Sequence, residues 1–485
     1  MVDGVRKRVA VIGGGIAGLA AAVRLRDLLP AATDLIVYEQ SGVLGGKLRT
    51  GELGGAAVER GAESFLTSGP GGGESAAVAL AKRLDLGTAL VHPASVPAAL
   101  SIGGHLTPIP GGTLVGVPAD LGRLGSVAHP DAGRDHDEGH PLLAAGEDVA
   151  VGALVRRRYG DEVVDRLVDP LLGGVYAGRA DGLSLEVTIP QLAETARVEH
   201  TLRAAVRAAL AKRARPAAQP GPGFSAPSEG PGTGSSAVFT AIDGGMTRLV
   251  AAAAAASGAR LSLGLPVRDL ARTAHGWRLL LGPAPAPQTD DVDAVVLAVP
   301  ARPASRLLAG VSAEAAEAVG VLDYASVALV GLALPPGTPL PELSGFLVPP
   351  SEGTLVKAAT FMTRKWPHLA GGSGPVIVRA SLGRAGEQQR LQAGDEALLD
   401  LARRELGELI GGELPPPAAS WVQRWGGGLP QYAPGHRDRV AHARGVLPPG
   451  LALAGAAFDG VGIPACIASG ERAAEDLSKM VESGF

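Results

Sequence analysis

Residues 8–28 read RVAVIGGGIAGLAAAVRLRDL and residues 34–40 read DLIVYEQ. A short apolar run enters a glycine cluster, an alanine-rich helical stretch follows, and a second apolar run closes the unit. A β-α-β unit places two parallel strands on either side of a helix, so the chain opens as an α/β protein. Within the turn Gly13, Gly15 and Gly18 have the spacing G-x-G-x-x-G, with Gly14, Ile16 and Ala17 between them. The first glycine allows the tight turn, the second lets backbone approach a pyrophosphate, and the third lets helix and strand pack closely. The helix N-terminus then offers unpaired N–H groups and about half a positive charge to phosphate. Glu39 ends the second strand 21 residues past Gly18, where a carboxylate can accept hydrogen bonds from both hydroxyls of an adenosine ribose. An acid there disfavours a 2′-phosphate, so NADP is excluded and NAD and FAD remain.

The next segment separates those two. In SGVLGGKLRTGELGGAAVERGAESFL, residues 41–66, Gly45 and Gly46 make a second glycine turn followed by Lys47 and Arg49, cations able to reach a pyrophosphate. This pattern resembles the amine-oxidase-like flavoprotein superfamily, in which a double glycine with an arginine follows the ribose-binding acid. Near the other end, GAAFDGVGIPACIASG places Gly460, Val461, Gly462 and Ile463 before Pro464. Proline suits the first turn of a helix, where its missing N–H has no partner to lose. In the flavoproteins this chain resembles, that helix aims its positive end at the flavin of FAD, favouring negative charge on the reduced ring. Both ends of the chain are therefore expected to hold one cofactor.

At 485 residues, 46% hydrophobic and 19% charged, the chain has enough apolar surface for two or three domains. Its formal net charge of −4 supplies no basic field, so nucleic acid is not an expected partner. The single cysteine, Cys466, excludes an intrachain disulfide and a cysteine-rich metal site, in keeping with a reducing, cytoplasmic setting. It reads as a small apolar, inert residue of the C-terminal helix. The run VAVI is too short for a secretory core of about 7–15 residues, and no charge-free stretch is long enough to span a bilayer. Peripheral membrane contact stays open.

The strand signals LSLGLPVRDLAR, WRLLLG and DAVVLAVPA resemble the first unit more than what precedes them. The nucleotide domain is thus expected from separate segments, residues 1–92, 237–310 and 436–485. Residues 93–214 read as a helical subdomain, with Val151, Leu154, Val155, Tyr159, Val163, Val164 and Leu167 on one helical side. Within it residues 127–141 are polar and expected to be flexible, and residues 215–236 read as a disordered Pro/Gly/Ser linker. His129, His136 and His140 fall in the former without a strand or helix behind them, so they read as solvated and no metal is expected. Residues 311–435 read as a sheet-based substrate domain with a covering helix, GDEALLDLARRELGELIG.

Longer segments sharpen the resemblance. FTAIDGGMTRLV (239–250), PLLGGVYAGRADGLSLEVTIPQL (170–192), KWPHL (365–369), WGGGLPQYAPGH (425–436) and GIPACIASG (462–470) are similar to the oxygen-dependent porphyrinogen oxidases of heme synthesis, in particular the coproporphyrinogen III oxidases of Gram-positive bacteria. The similarity covers nearly the whole chain apart from the two polar segments. It implies FAD, with a doubly wound nucleotide domain, a mixed-sheet substrate domain and a helical subdomain. It places cofactor contacts on Gly13 to Gly18, Glu39, Gln40, Lys47, Gly61, Ala62, Glu63, Ser64, Val267 through its backbone, Trp425, Val461, Gly462 and Ile463. It puts Tyr176 of VYAG beside the substrate. Relatives often carry Asp where this chain has Arg179, which puts the substrate's orientation in question.

The implied reaction takes six electrons from coproporphyrinogen III, a cyclic tetrapyrrole, in three hydride-level steps. Each is followed by reoxidation with oxygen to give hydrogen peroxide. The aromatic product supplies the drive, so the protein's part is positioning and no catalytic residue is assigned. Glu63 is weighed between a pyrrole N–H contact and an anchor beside the flavin, and His436 between a proton relay and a fixed turn, with the turn favoured. Four propionates require cations, for which Arg179, Arg364 and Lys365 are candidates. Protoporphyrinogen IX is the alternative substrate. A flavin amine oxidase or carotenoid desaturase, a flavin-free binder of lipidated proteins and an NAD dehydrogenase are more distant readings. Oligomeric state and contact with other heme-pathway enzymes stay open.

Overall fold

The strand Arg8–Ile12 is the centre of a five-stranded parallel sheet in the order Arg260–Leu263, Asp34–Glu39, Arg8–Ile12, Ala294–Leu297, Leu451–Leu453. The computed structural model describes residues 7–69, 72–214, 237–371 and 374–483, so the proposed linker at 215–236 lies outside the described residues. Val9, Val11, Leu35, Val37 and Val296 are buried because helices cover the sheet, which is why its strands read as unbroken apolar runs. The first helix, Ile16–Leu28, and the C-terminal helix, Ile463–Ser483, share one core through Ala21, Ala22 and Leu25 with Ala473, Ala474 and Leu477. The strands of this sheet come from segments far apart in the sequence. Strand order reverses about Arg8–Ile12, and Gly13 follows at its carboxyl end, where such sheets open a crevice for ligands.

A second, seven-stranded sheet runs Ala419–Gln431, Asp323–Leu334, Val376–Leu382, Val356–Phe361, Gly345–Leu347, Ala98–Ile102, His105–Pro108. Its neighbours are antiparallel except for Gly345–Leu347 beside Ala98–Ile102. The two faces do different things. Val330, Leu332, Val378, Ala380 and Phe361 pack with Leu398, Ala402 and Leu406 of the helix Asp395–Ile410, the covering helix expected from sequence. Leu329, Ala333, Ile377 and Trp421 join a core with Leu19, Ile463 and Ile467 of the first and C-terminal helices. Residues 98–108, read from sequence as part of the helical subdomain, instead complete this sheet, because strand partners more than 240 residues away decide their fate.

The helix Val151–Tyr159 ends at Gly160, with φ +90°, and a second helical stretch runs from Asp161–Val163 through a wide π-type turn at Val164–Val168 into Asp169–Tyr176. The predicted apolar side is buried throughout. Residues 127–141, expected to be flexible, are instead tied down. The buried Asp135 carboxylate accepts hydrogen bonds from the N–H groups of Leu202 and Arg203 at 2.7 and 3.1 Å, capping the helix Leu202–Ala214. Buried Arg158 donates to the His136 carbonyl at 2.7 Å and pairs with Glu138 at 3.1 Å. Polar composition marked the segment as mobile, whereas those polar groups find partners in distant helices. No helix of the described residues is long and apolar enough to cross a membrane.

Candidate functional site

The first glycine turn is closed by backbone. Gly13 has φ +112°, and a Cβ there would fall 2.4 Å from the Ala298 carbonyl oxygen; one on Gly18 would fall 2.0 Å from the Gly13 carbonyl oxygen. Gly15 differs, with nothing within 4 Å of its Cβ position, and no side chain caps the first helix that it starts. Glu39 holds the turn in place, accepting the Gly14 N–H on one carboxylate oxygen and the Ser41 N–H on the other, both at 2.8 Å. Gln40 beside it is exposed, and Val267 begins its strand two residues beyond Leu265, whose N–H donates to the Glu39 carbonyl oxygen at 3.0 Å.

The second glycine turn stacks on the first. Gly45 donates its N–H to the Gly14 carbonyl oxygen at 2.8 Å, and Val250 of the FTAIDGGMTRLV motif packs on its other side. Lys47 follows, half-buried and with no carboxylate within salt-bridge distance among the described residues; burial pulls its pKa down. Its carbonyl oxygen accepts the Ala62 N–H at 3.1 Å, and only glycine fits at 61, where a Cβ would lie 1.9 Å from that oxygen. Arg49 lies with its guanidinium carbon 5.9 Å from the centre of the Trp425 ring. The Trp425 Nε1–H donates to the Arg60 carbonyl oxygen at 2.7 Å, so the long strand Ala419–Gln431 is tied to the loop carrying Gly61, Ala62, Glu63 and Ser64.

The C-terminal loop reaches the same place. Ile463 shares a core with Ile16 and Leu48, and Gly455 approaches the Ala17 side chain within 3.7 Å of its Cβ position. Gly462, at φ +112°, has open space beside it as Gly15 does. The loop is clamped from behind by Asp459, which pairs with Arg444 at 2.6 Å and Arg472 at 2.9 Å and accepts the Ser469 hydroxyl. Burial opposes charge on Asp459, but those bonds win and hold its pKa below the ordinary value. Tyr432 adds a hydroxyl bond to the Ala456 carbonyl oxygen. Sequence reasoning missed this clamp; the acid of FDGVG was its only local trace.

The remaining candidates separate. Glu63 is an anchor, since the buried carboxylate accepts Lys365 Nζ at 2.7 Å, Trp366 Nε1 at 2.8 Å and the Arg379 guanidinium. Lys365 is thereby committed to Glu63. Arg364 pairs with Glu342 at 2.8 Å on the exterior, and Arg179 pairs with the buried Asp169 at 3.1 Å. Each of the three cations proposed for propionates therefore already has a carboxylate. Tyr176 is buried edge-on against Tyr432 with ring centres 5.9 Å apart. The next residue, Ala177, is left-handed at φ +50° and packs with Ala325, Val327 and Trp425. His436 is buried against Tyr432, its pKa pushed down to about 4 by burial and then Arg439, and it opens the helix His436–Gly445 after Gly435 at φ +76°. His129 pairs with Glu162, while His136 and His140 meet backbone oxygens. Cys466 sits in the first turns of the C-terminal helix, its thiol raised to about 11, chiefly by burial.

An uncapped helix start, a cation without a carboxylate partner among the described residues and two glycines with open space at their Cβ positions suit an extended anionic dinucleotide. Residues 16–478 match the family described as flavin containing amine oxidoreductase. The chain is 35% identical to a coproporphyrinogen III oxidase of Mycobacterium tuberculosis H37Rv, covering 98% of each. It is 31% identical to one of Bacillus subtilis strain 168, again covering 98% of each. Among solved structures, a "Putative protoporphyrinogen oxidase" from Exiguobacterium sp. 255-15 superposes with a TM-score of 0.81 at 27% identity, covering 98% of this chain and 99% of that one.

Proposed function

The chain belongs to the flavin containing amine oxidoreductases, and from that membership we propose that it is an FAD-dependent coproporphyrinogen III oxidase using oxygen as acceptor. The observation that carries the substrate is the near-full-length relationship to proteins of that name, 35% and 31% identical to this chain. Coproporphyrinogen III and three molecules of oxygen give coproporphyrin III and three of hydrogen peroxide, so six electrons and six protons leave the macrocycle. FAD, when bound, supplies the two-electron oxidation in each of the three passes.

The protein's own residues bind and orient. Glu39 and the Gly13–Gly18 turn would hold the adenosine and pyrophosphate half, with Lys47 as counter-ion. Asp459 ties the 460–463 loop and Glu63 ties the Gly61–Ser64 segment, so the two segments that would flank the cofactor's flat end are each held by ion pairs of the protein's own. Such preorganisation is what a reaction driven by its own product's aromaticity needs from a protein. His436, buried and neutral near pH 7, holds the turn that leads into this clamp.

Fluorescent porphyrin formation from coproporphyrinogen III and from protoporphyrinogen IX under air, with peroxide measured alongside, tests the reading. Faster conversion of the coproporphyrinogen supports it. Equal or reversed rates overturn the substrate and favour the protoporphyrinogen reading, to which the Exiguobacterium neighbour's name points, while leaving the cofactor unaffected.

A further inference from the structure

Arg158, Lys357 and Arg384 are the buried cations of the described residues. Arg158 has Glu138 at 3.1 Å and Arg384 has Glu387 at 3.7 Å, but Lys357 has no carboxylate within 4.0 Å among the described residues. Its Nζ donates to one acceptor, the Gly173 carbonyl oxygen at 3.2 Å, although an ammonium has three donors to place. Arg384 and Arg379 add positive potential, and burial with these two neighbours pushes the Lys357 pKa down to about 7. A buried charge without a partner is costly, and an incoming anion would offset that cost.

The position of this lysine narrows which anion. It lies in the strand Val356–Phe361, against the helix Asp169–Tyr176, in whose last turn the Gly173 oxygen also accepts the Ala177 N–H at 2.9 Å. That turn leads directly into the Tyr176–Gly178 loop, where Ala177 packs with Trp425. The lysine is thus one helical turn from a loop that touches a wall of the cofactor cradle. Of the cations around that loop, Lys365 and Arg379 pair with Glu63 and Arg179 with Asp169, while Lys47 and Arg49 stand at the glycine turns proposed for the cofactor. A substrate bearing several carboxylates would still need a cation, and this one has spare donors.

We infer that Lys357 binds a propionate carboxylate of the tetrapyrrole and contributes to the choice of a tetrapropionate over a dipropionate macrocycle. This rests on the proposed reading of the function. The test compares holoenzyme with Lys357→Met, an uncharged residue of similar length, on coproporphyrinogen III and on its tetramethyl ester. The KM for the free acid is expected to rise about 10- to 100-fold, the range for a lost charged hydrogen bond. Saturated kcat, bound FAD and the KM for the ester are expected to stay within about twofold. An unchanged KM for the acid overturns the inference, and so does an equal rise for acid and ester, which marks a structural role.

Should the variant not fold, the wild-type holoenzyme provides a second measurement. Amine acylation of the ligand-free holoenzyme is expected to reach Lys357 and to be blocked by coproporphyrin III but not by its tetramethyl ester; no labelling without ligand, or equal labelling with both ligands, overturns the inference. A wild-type protein that does not oxidise coproporphyrinogen at all would instead bring down the functional reading itself.

Discussion

Gly470 of the C-terminal helix lies against Ala17 of the first helix so closely that a Cβ on it would fall 2.1 Å from the Ala17 carbonyl oxygen. Two helices from opposite ends of the chain therefore cross at backbone contact. The start of each, at Ile16 and Ile463, is fixed relative to the other. One ligand can be held by both only while this spacing persists.

Gly470→Ala forces those backbones apart. Overpacking of this kind costs about 1–3 kcal/mol, so the melting temperature is expected to fall. The purified variant is also expected to retain less FAD, read as a lower ratio of flavin to protein absorbance. Full retention of the flavin at a lowered melting temperature would show that the crossing supports the fold without setting the cradle.

Glu39→Ala removes the acceptor of the Gly14 and Ser41 N–H groups as well as the proposed ribose contact. Losing a charged hydrogen-bonding partner of this kind costs about 1.5–3 kcal/mol, so FAD affinity of the apoprotein is expected to weaken about 10- to 100-fold in a flavin-fluorescence titration. An unaltered Kd would detach Glu39 from the adenosine end.

What could be read in advance was local. The glycine turns, Glu39 and the Gly460–Ile463 loop are short-range patterns whose geometry follows from residue type, and the structure brings them together. What escaped was set by partners far away in sequence. Lys365 looked free for substrate because its partner Glu63 is 302 residues distant. Residues 127–141 looked mobile because Asp135 caps a helix 67 residues on. Lys357 sits in TLVKAATF as a lone charge in a strand, and nothing in that string reveals the helix packed over it.

Cys466 tests whether the C-terminal helix start stays closed. Burial raises its thiol to about 11, with Lys47 acting in the opposite sense, and little thiolate exists near pH 8. Disulfide-exchange reagents are expected to label the native protein slowly and the urea-unfolded protein at the ordinary rate. Cys466→Ser is expected to keep oxidase activity within about twofold, since no step requires the thiol. Rapid native labelling would mean that the loop opens.

Glu63 gives a pH signature. Burial, the largest influence, raises its pKa, but Lys365 and Arg379 outweigh that and hold the carboxyl down at about 2, below its ordinary 4.5. In this range the unfolded chain takes up the proton before the folded one does. The stability contributed by the carboxylate is therefore complete above about pH 4.5 and is lost as pH falls from there toward 2. Glu63→Gln leaves the half-buried Lys365 and Arg379 without their counter-charge, at a cost of about 1.5–3 kcal/mol near neutral pH. Urea unfolding at a series of pH values is expected to show wild type well above the variant at pH 7, with the gap closing through that acidic window. A gap that stays constant to the bottom of the window would mean that shape, not charge, is what Glu63 contributes.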